Sequence, residues 1–180
     1  MKLSDEQQHI LDTIRTGTNV YVDAVAGTGK TTLILSMAKE LKDKKILQMT
    51  YNKSLKFEVR EKIEKEKVEN LNVHTYHSLA VCYYRDTAFV DNELRKIVVN
   101  KEKPQQAIPD IDILVLDETQ DMTYLYFQFM CKFLFDINKK VQLLILGDYM
   151  QGLYEFKGSD IRYLTFGDLI WKKHPLLQTT

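Results

Sequence analysis

The sequence is short of the residues that hold small secreted domains together. Its 180 residues include two cysteines, Cys82 and Cys131, and these form no CxxC pair. Neither a disulfide framework nor a cysteine-rich metal site is therefore expected. No stretch approaches the roughly 18 apolar residues of a membrane span, and the acidic start Met1–Glu6 contains no secretory apolar region. These absences favour a soluble, intracellular protein of the cytoplasm or nucleus.

Net charge is absent as well. The 25 lysines and arginines balance 25 aspartates and glutamates, so composition gives no general attraction to nucleic acid, and any such site must be local. The hydrophobic content of 44% is that of an ordinary globular protein. A length of 180 residues fits one domain with a large core.

The most informative segment is AVAGTGKTT, residues Ala24–Thr32. Apolar residues before it predict a strand, and apolar residues after it predict a helix. Glycines in such a turn let successive N–H groups point at a phosphate, a lysine adds a full charge, and a threonine hydroxyl can bind magnesium. The segment therefore predicts a phosphate-binding P-loop, although Ala24 stands where the strict template has glycine. A turn without a ligand is the alternative. The predicted nucleotide-binding residues of the loop are Ala26, Gly27, Thr28, Gly29, Lys30, Thr31 and Thr32.

Two further groups of polar residues follow apolar strands. Asp117 and Glu118 end the run Ile111–Asp117, and ligands of parallel sheets bind where strands end. We expect Asp117, with Thr31, to hold magnesium and Glu118 to act as the base. The alternative is a pair of surface acids that cap the next helix. Gln151 follows the next strand, where its neutral amide can contact a terminal phosphate, and an ordinary turn explains it equally well.

Strands and helices alternate along the chain. Strands are predicted over about 19–24, 44–50, 72–75, 111–117 and 141–146, and helices over about 4–15, 30–41, 54–66, 77–84 and 123–135, with a short helix and a loop within 86–110. This alternation predicts an α/β fold, a three-layer P-loop domain with a mostly parallel central sheet.

Six segments, in this order, resemble the motifs of the first RecA-like domain of a superfamily 1 helicase of the UvrD/Rep type. They are Leu3–Gln7 (Q motif), Ala24–Thr31 (motif I, or Walker A), Thr50–Ser54 (motif Ia), His74–Leu79 (motif Ib), Asp117–Asp121 (motif II) and Gly147–Gly158 (motif III). The resemblance implies ATP and Mg²⁺ as cofactors, with Gln7 as an adenine contact. Lys30, Glu118 and Gln151 are then the expected catalytic residues. The implied activity is ATP-dependent DNA unwinding, with movement 3′ to 5′ along single-stranded DNA.

The resemblance also implies a track for single-stranded DNA at the ends of the strands. Its matching residues are Thr50, Tyr51, Asn52, Thr75, Tyr76, His77, Tyr154, Phe156 and Lys157. Aromatic side chains in such tracks stack on bases, at about 1–3 kcal/mol per base, and need no net charge. The alternative for each aromatic residue is a place in the core. Stacking does not distinguish the sugars, so RNA is an alternative substrate.

The resemblance covers residues 1–180 as one RecA-like ATP-binding domain, with a short insertion at about 85–110. The second RecA-like domain of such helicases, with its arginines for the terminal phosphate, is not among these residues. We therefore expect the chain alone to bind ATP–Mg²⁺ weakly and to hydrolyse it slowly or not at all. The alternatives from other classes are a non-catalytic module that senses ATP and a nucleotide kinase with a P-loop.

Overall fold

A computed structural model describes residues 3–25, 27–152 and 158–173 of the chain. These residues form a five-stranded sheet in the order β1-β5-β4-β2-β3. Every pair of neighbouring strands is parallel, which confirms the predicted sheet. The strands are β1 (Val20–Asp23), β2 (Ile46–Thr50), β3 (Leu71–Thr75), β4 (Ile113–Leu116) and β5 (Gln142–Gly147).

Helices cover both faces of the sheet, so the predicted three-layer arrangement is confirmed. They are α1 (Asp5–Arg15), α2 (Lys30–Glu40), α3 (Lys53–Glu66), α4 (Tyr76–Tyr83), α5 (Asp91–Val99), α6 (Tyr124–Ile137), α7 (Tyr149–Gly152), α8 (Arg162–Thr165) and α9 (Gly167–Lys173). One hydrophobic core lies between the sheet and α1–α3. The other lies between the sheet and α4, α5, α6, α8 and α9. No helix within the described ranges is long and apolar enough to cross a bilayer.

Local chemistry explains several of these elements. Ser4 caps α1, and its side chain accepts a hydrogen bond from the backbone N–H of Gln7, whose side chain bonds back to the backbone of Ser4, the capping box that the sequence predicts. All residues of β4 are buried, because a central parallel strand is covered on both faces. The predicted short helix in the insertion is α5, which buries Leu94 and Ile97. Helices α7 to α9 are not predicted by the sequence pattern.

The topology brings the predicted site residues to one edge. Asp23 ends β1, Asp117 directly follows β4, and Asp148 directly follows β5. Because β5 lies between β1 and β4 and all three strands run in one direction, their carboxyl ends meet at the same edge of the sheet. This is the edge at which the P-loop leaves β1.

Candidate nucleotide-binding site and adjoining surface

The turn between β1 and α2 has the backbone of an anion-binding loop. Gly27 and Gly29 have φ angles of 82° and 83°, a region that side chains rarely adopt. Gly29 is the N-cap of α2, and among the described residues no side chain caps the helix. The first N–H groups of α2 are therefore free of a side-chain acceptor, which fits a phosphate at this position. Ala26, also predicted to bind nucleotide, lies outside the described residues.

Lys30 and Glu118 meet across the cleft between the loop and the end of β4. The Lys30 Nζ atom lies 3.1 Å from Glu118 Oε2, and the two side chains are 10% and 21% exposed. Glu118 has a left-handed backbone, with a φ of 53°. Such a conformation costs a residue with a side chain about 1–3 kcal/mol, and residues that adopt it cluster at active sites. The predicted phosphate ligand and the predicted base are thus brought together.

Asp117 is a buried carboxylate, 6% exposed. Its Oδ2 atom accepts a hydrogen bond from Gln48 Nε2 at 2.9 Å, and its Oδ1 atom accepts one from the backbone N–H of Glu118 at 3.0 Å. Burial, and next the charge of Glu118, raise the pKa of Asp117 to about 6 against the opposing effect of Lys30. A desolvated carboxylate fits a hard cation such as Mg²⁺, since the cation would supply the charge that the site lacks.

Gln120 is a connection that the sequence did not reveal. It is 2% exposed, its Nε2 atom donates to Glu118 Oε2 at 2.7 Å, and its Oε1 atom accepts from the backbone N–H of Asp148 at 3.0 Å. The same Nε2 atom lies 3.5 Å from Gln151 Oε1, and Gln151 Nε2 donates to Asp148 Oδ2 at 3.0 Å. Gln120 therefore joins the ends of β4 and β5. Gln120 lies within the segment Asp117–Asp121 that resembles motif II, which could have marked it as a site residue. The sequence pattern, however, predicted no particular function for it.

Gln7 lies against the P-loop. Its Nε2 atom donates to the backbone carbonyl of Thr28 at 3.0 Å, while its Oε1 atom accepts from the backbone N–H of Ser4 at 3.1 Å. The Thr28 hydroxyl also stays within the loop, where it donates to the carbonyl of Val25 at 2.7 Å. Gln7 thus ties α1 to the loop, and an adenine contact requires its amide to turn away from these partners.

The predicted nucleic-acid residues divide into exposed and buried ones. Tyr51 is 39% exposed and lines a cleft of about 410 Å³ together with Asn52, Glu118 and Gln151. The Asn52 side chain caps α3 by accepting from the backbone N–H of Ser54. Tyr51 and the predicted base therefore border one cleft, which lies over the ends of β2 and β4.

Three of these predicted residues are buried, and the corresponding predictions are corrected. Tyr76 is 3% exposed, and its ring stacks on Tyr126 with centroids 4.4 Å apart, so it belongs to the core. Thr50 and Thr75 are 0% and 4% exposed, which leaves their side chains no surface for a phosphate. The Thr75 hydroxyl instead caps α4.

His77 remains at the surface. Its side chain is 25% exposed, and its Nε2 atom lies 3.0 Å from Asp91 Oδ1 at the start of α5. A residue of the insertion thus contacts the ring of His77, whose predicted DNA contact stays a prediction. Tyr154, Phe156 and Lys157 lie outside the described residues.

Residues 7–157 match the family model AAA_19, described as an AAA domain. F-box DNA helicase 1 of Gallus gallus is 38% identical over 81 residues, which is 44% of this chain and 8% of that protein. The chain thus spans a small part of that relative.

Solved structures show the same fold. A structure of two Pif1 helicases, whose subject is unwinding at forked double-stranded DNA, aligns with a TM-score of 0.54 and 18% identity over 82% of this chain and 34% of its own. Unliganded Pif1 from Bacteroides sp aligns with a TM-score of 0.53 and 20% identity over 92% and 36%. At these identities the likeness establishes the fold alone, that of a RecA-like P-loop domain. Because the family model spans most of the chain, the chain belongs to the AAA domain family AAA_19.

Proposed function

We propose that this chain is the ATP-binding domain of a DNA helicase in which ATP hydrolysis drives movement along single-stranded DNA. The observation that carries the proposal is the 3.1 Å contact between Lys30 and Glu118, the two side chains that we propose as the phosphate ligand and the base. The family, the fold and the matched F-box DNA helicase support the same function. The motifs resemble those of UvrD/Rep-type helicases, so we assign the chain to that type and propose movement 3′ to 5′.

The side chains divide the chemistry among them. When bound, ATP with Mg²⁺ supplies the phosphoanhydride bond whose hydrolysis drives movement. When ATP is bound, Lys30 would release Glu118 and contact the outer phosphates instead. The free Glu118 carboxylate would then orient and deprotonate the attacking water. Asp117, already ordered by Gln48, would hold the magnesium together with Thr31.

Nucleic acid is proposed to bind beside this site. Tyr51 borders the same cleft as Glu118 and Gln151, and its exposed ring can stack on a base. Gln120 contacts both Glu118 and the backbone that leads to Gln151. A change at the terminal phosphate can therefore reach the nucleic-acid surface through Gln120. We propose single-stranded DNA as the substrate. Competition for binding between DNA and RNA oligonucleotides of matched sequence would distinguish it from RNA.

The proposed helicase activity needs more than this domain. The chain spans 34% and 36% of the two Pif1 chains described above. We propose that a second RecA-like domain completes the site with arginines, which in comparable sites increase the rate by about 10³–10⁵. The 180-residue chain alone is then expected to bind ATP–Mg²⁺ weakly and to turn it over slowly.

Two substitutions test the nucleotide site. Lys30→Ala should weaken the binding of a fluorescent ATP analogue with Mg²⁺ about tenfold or more, because a charged hydrogen bond to phosphate is lost. In a longer chain that hydrolyses ATP in response to single-stranded DNA, Glu118→Gln should retain binding but lower phosphate release by about 10²–10⁴. Lys42→Ala, at an exposed lysine beyond the other end of α2, is the matched control and should behave as the unaltered chain.

Different outcomes point to different functions. Unchanged analogue binding by Lys30→Ala would contradict the proposed site. Normal phosphate release by Glu118→Gln, in a protein whose hydrolysis depends on single-stranded DNA, would contradict the role of Glu118 as the base. A chain that binds ATP and never hydrolyses it, even with downstream sequence attached, would support the ATP-sensing module.

A further inference from the structure

A groove beside the proposed nucleic-acid track combines exposed aromatic rings with lysines. It lies between the start of α3, the start of α4 and the loop before α5, and its volume is about 290 Å³. We call it the basic–aromatic groove and define it by five of its lining residues. They are Lys53, Lys56, Phe57, His77 and Phe89.

Both phenylalanines are exposed to an unusual degree. Phe57 is 61% exposed and Phe89 is 68% exposed, although each offers a large apolar ring. Neither ring is held by a described ring–ring contact, in contrast to Tyr76 and Tyr126, which stack in the core. Two rings that face solvent across one groove resemble the stacking surfaces that unpaired bases occupy.

Cations line the same side of α3. Lys53, Lys56 and Arg60 recur at spacings of three and four residues, which places them on one helix face. Within the described ranges none of the three forms an ion pair with a carboxylate, and the groove is lined by no aspartate or glutamate. Asp91, at the start of α5, bonds to Nε2 of the groove residue His77.

The cations repel one another. Burial, then Arg60 and then Lys53, lower the pKa of Lys56. Burial, then Lys56 and Arg60, lower the pKa of the adjacent His74 to about 4, so this histidine is neutral at pH 7. An anion bound between the lysines would relieve this repulsion. Although the net charge of the chain is zero, positive charge is thus concentrated beside the basic–aromatic groove.

We propose that the basic–aromatic groove binds single-stranded nucleic acid, with bases stacked on Phe57 and Phe89 and phosphates held by Lys53 and Lys56. This inference rests on the proposed function and extends its nucleic-acid track. Asn52, at the N-cap of α3, adjoins Lys53 and lines the cleft of Tyr51. A strand stacked on Tyr51 can therefore continue over the start of α3 into the groove.

Equilibrium binding of a fluorescein-labelled oligothymidylate to the full chain tests the aromatic contacts. Phe57→Ala and Phe89→Ala should each raise Kd about five- to hundredfold, the range for loss of one base–aromatic stack. Phe57→Trp, which retains an aromatic ring, should bind as tightly as the unaltered chain. Phe57→Leu retains the apolar bulk without the ring and should bind as weakly as Phe57→Ala. The control is Phe135→Ala, since Phe135 is 59% exposed near the far end of α6.

The salt dependence of the same binding tests the lysines. The double variant Lys53→Ala/Lys56→Ala should lower the slope of log K against log salt by about 1.4, at about 0.7 for each lost phosphate contact with a single strand. The phenylalanine variants should leave the slope unchanged, because they remove no charge. Lys65→Ala, at an exposed lysine near the opposite end of α3, is the matched control.

Photo-crosslinking locates the bases directly. An oligonucleotide with 5-iododeoxyuridine, irradiated on the chain and digested with trypsin, should form adducts on the peptides 57–60 and 86–95, which contain Phe57 and Phe89. Adducts confined to other peptides, with unchanged Kd for the groove variants and weakened binding for Tyr51→Ala, would overturn this inference and leave the proposed function in place.

Two other results would also overturn the proposal that the groove binds nucleic acid. Full oligothymidylate binding by Phe57→Leu would show that no base stacks on the Phe57 ring. Absence of oligothymidylate binding by the unaltered chain would exclude the groove as a nucleic-acid site, whereas the ATP–Mg²⁺ experiments on Lys30 report separately on the nucleotide site.

Discussion

Replacement of Asp117 by asparagine measures the cost of burying this carboxylate. The pKa of Asp117 rises from an ordinary 3.8 to about 6, first because burial disfavours the ionised form and next because Glu118 is adjacent. One pKa unit corresponds to about 1.4 kcal/mol, so the ionised side chain destabilises the folded protein by about 3 kcal/mol at pH 8. Asparagine has nearly the same shape without the charge. Asp117→Asn should therefore raise the free energy of unfolding by about 3 kcal/mol at pH 8.

The size of this gain depends on pH. A pKa that is higher in the folded chain favours the protonated folded state, so its stabilising contribution is complete below pH 3.8 and is lost as the pH rises through about 6. At pH 4.5 the advantage of asparagine should shrink to about 1 kcal/mol. The hydrogen bond to Gln48 can survive, because the Gln48 Oε1 atom is buried without a partner among the described residues and the amide can turn over to accept from asparagine.

Urea unfolding at pH 8 and at pH 4.5, without nucleotide or Mg²⁺, measures both values. Asp86→Asn, at an exposed aspartate, is the control and should show no such change with pH. An equal difference at the two pH values, or a less stable Asp117→Asn chain at pH 8, would refute the reasoning. The same variant should bind ATP–Mg²⁺ more weakly, since the proposed magnesium carboxylate is removed.

Two substitutions test the packing around the site. Gly147→Ala should destabilise the chain by about 1–3 kcal/mol in urea, because an added Cβ would lie 2.8 Å from Leu164 Cδ2 and 2.9 Å from Gln120 Oε1; an unchanged urea midpoint would contradict this. Ser4→Ala should cost about 1 kcal/mol by removing the cap of α1, whereas Ser4→Asp should retain it. Equal stability of the two Ser4 variants would show that the capping bond to Gln7 contributes nothing.

The elements that could be predicted from the sequence are those with local causes. The capping residues Ser4 and Gln7 predict the start of α1, which the structure confirms. Ile111–Asp117 is apolar along almost its whole length, which predicts a central strand, and β4 is buried throughout. Helices α7 to α9 could not be predicted in this way. Two of them have four residues each, too few for a periodic pattern to appear.

The candidate nucleotide site could be predicted only as far as the strand topology could be predicted. Alternating strands and helices imply a parallel sheet, and a parallel sheet places the ends of its strands on one edge. That rule is sufficient to bring Lys30 and Glu118 near each other. It does not predict that Gln48 of β2 would hold Asp117, or that Gln120 would join Glu118 to the end of β5. Those contacts depend on which strands are neighbours.

The aromatic residues show where the sequence by itself reaches its limit. Tyr51 and Tyr76 both follow a strand and adjoin a helix, and the motif resemblance implies a nucleic-acid contact for both, with a place in the core as the alternative. Packing of α6 against α4 covers Tyr76 with Tyr126, whereas the ring of Tyr51 meets Tyr126 only at an edge and stays partly exposed. The sequence by itself determined the strands, helices and P-loop through short-range chemistry. Tertiary structure alone decided which side chains face solvent, because burial is set by segments distant in the chain.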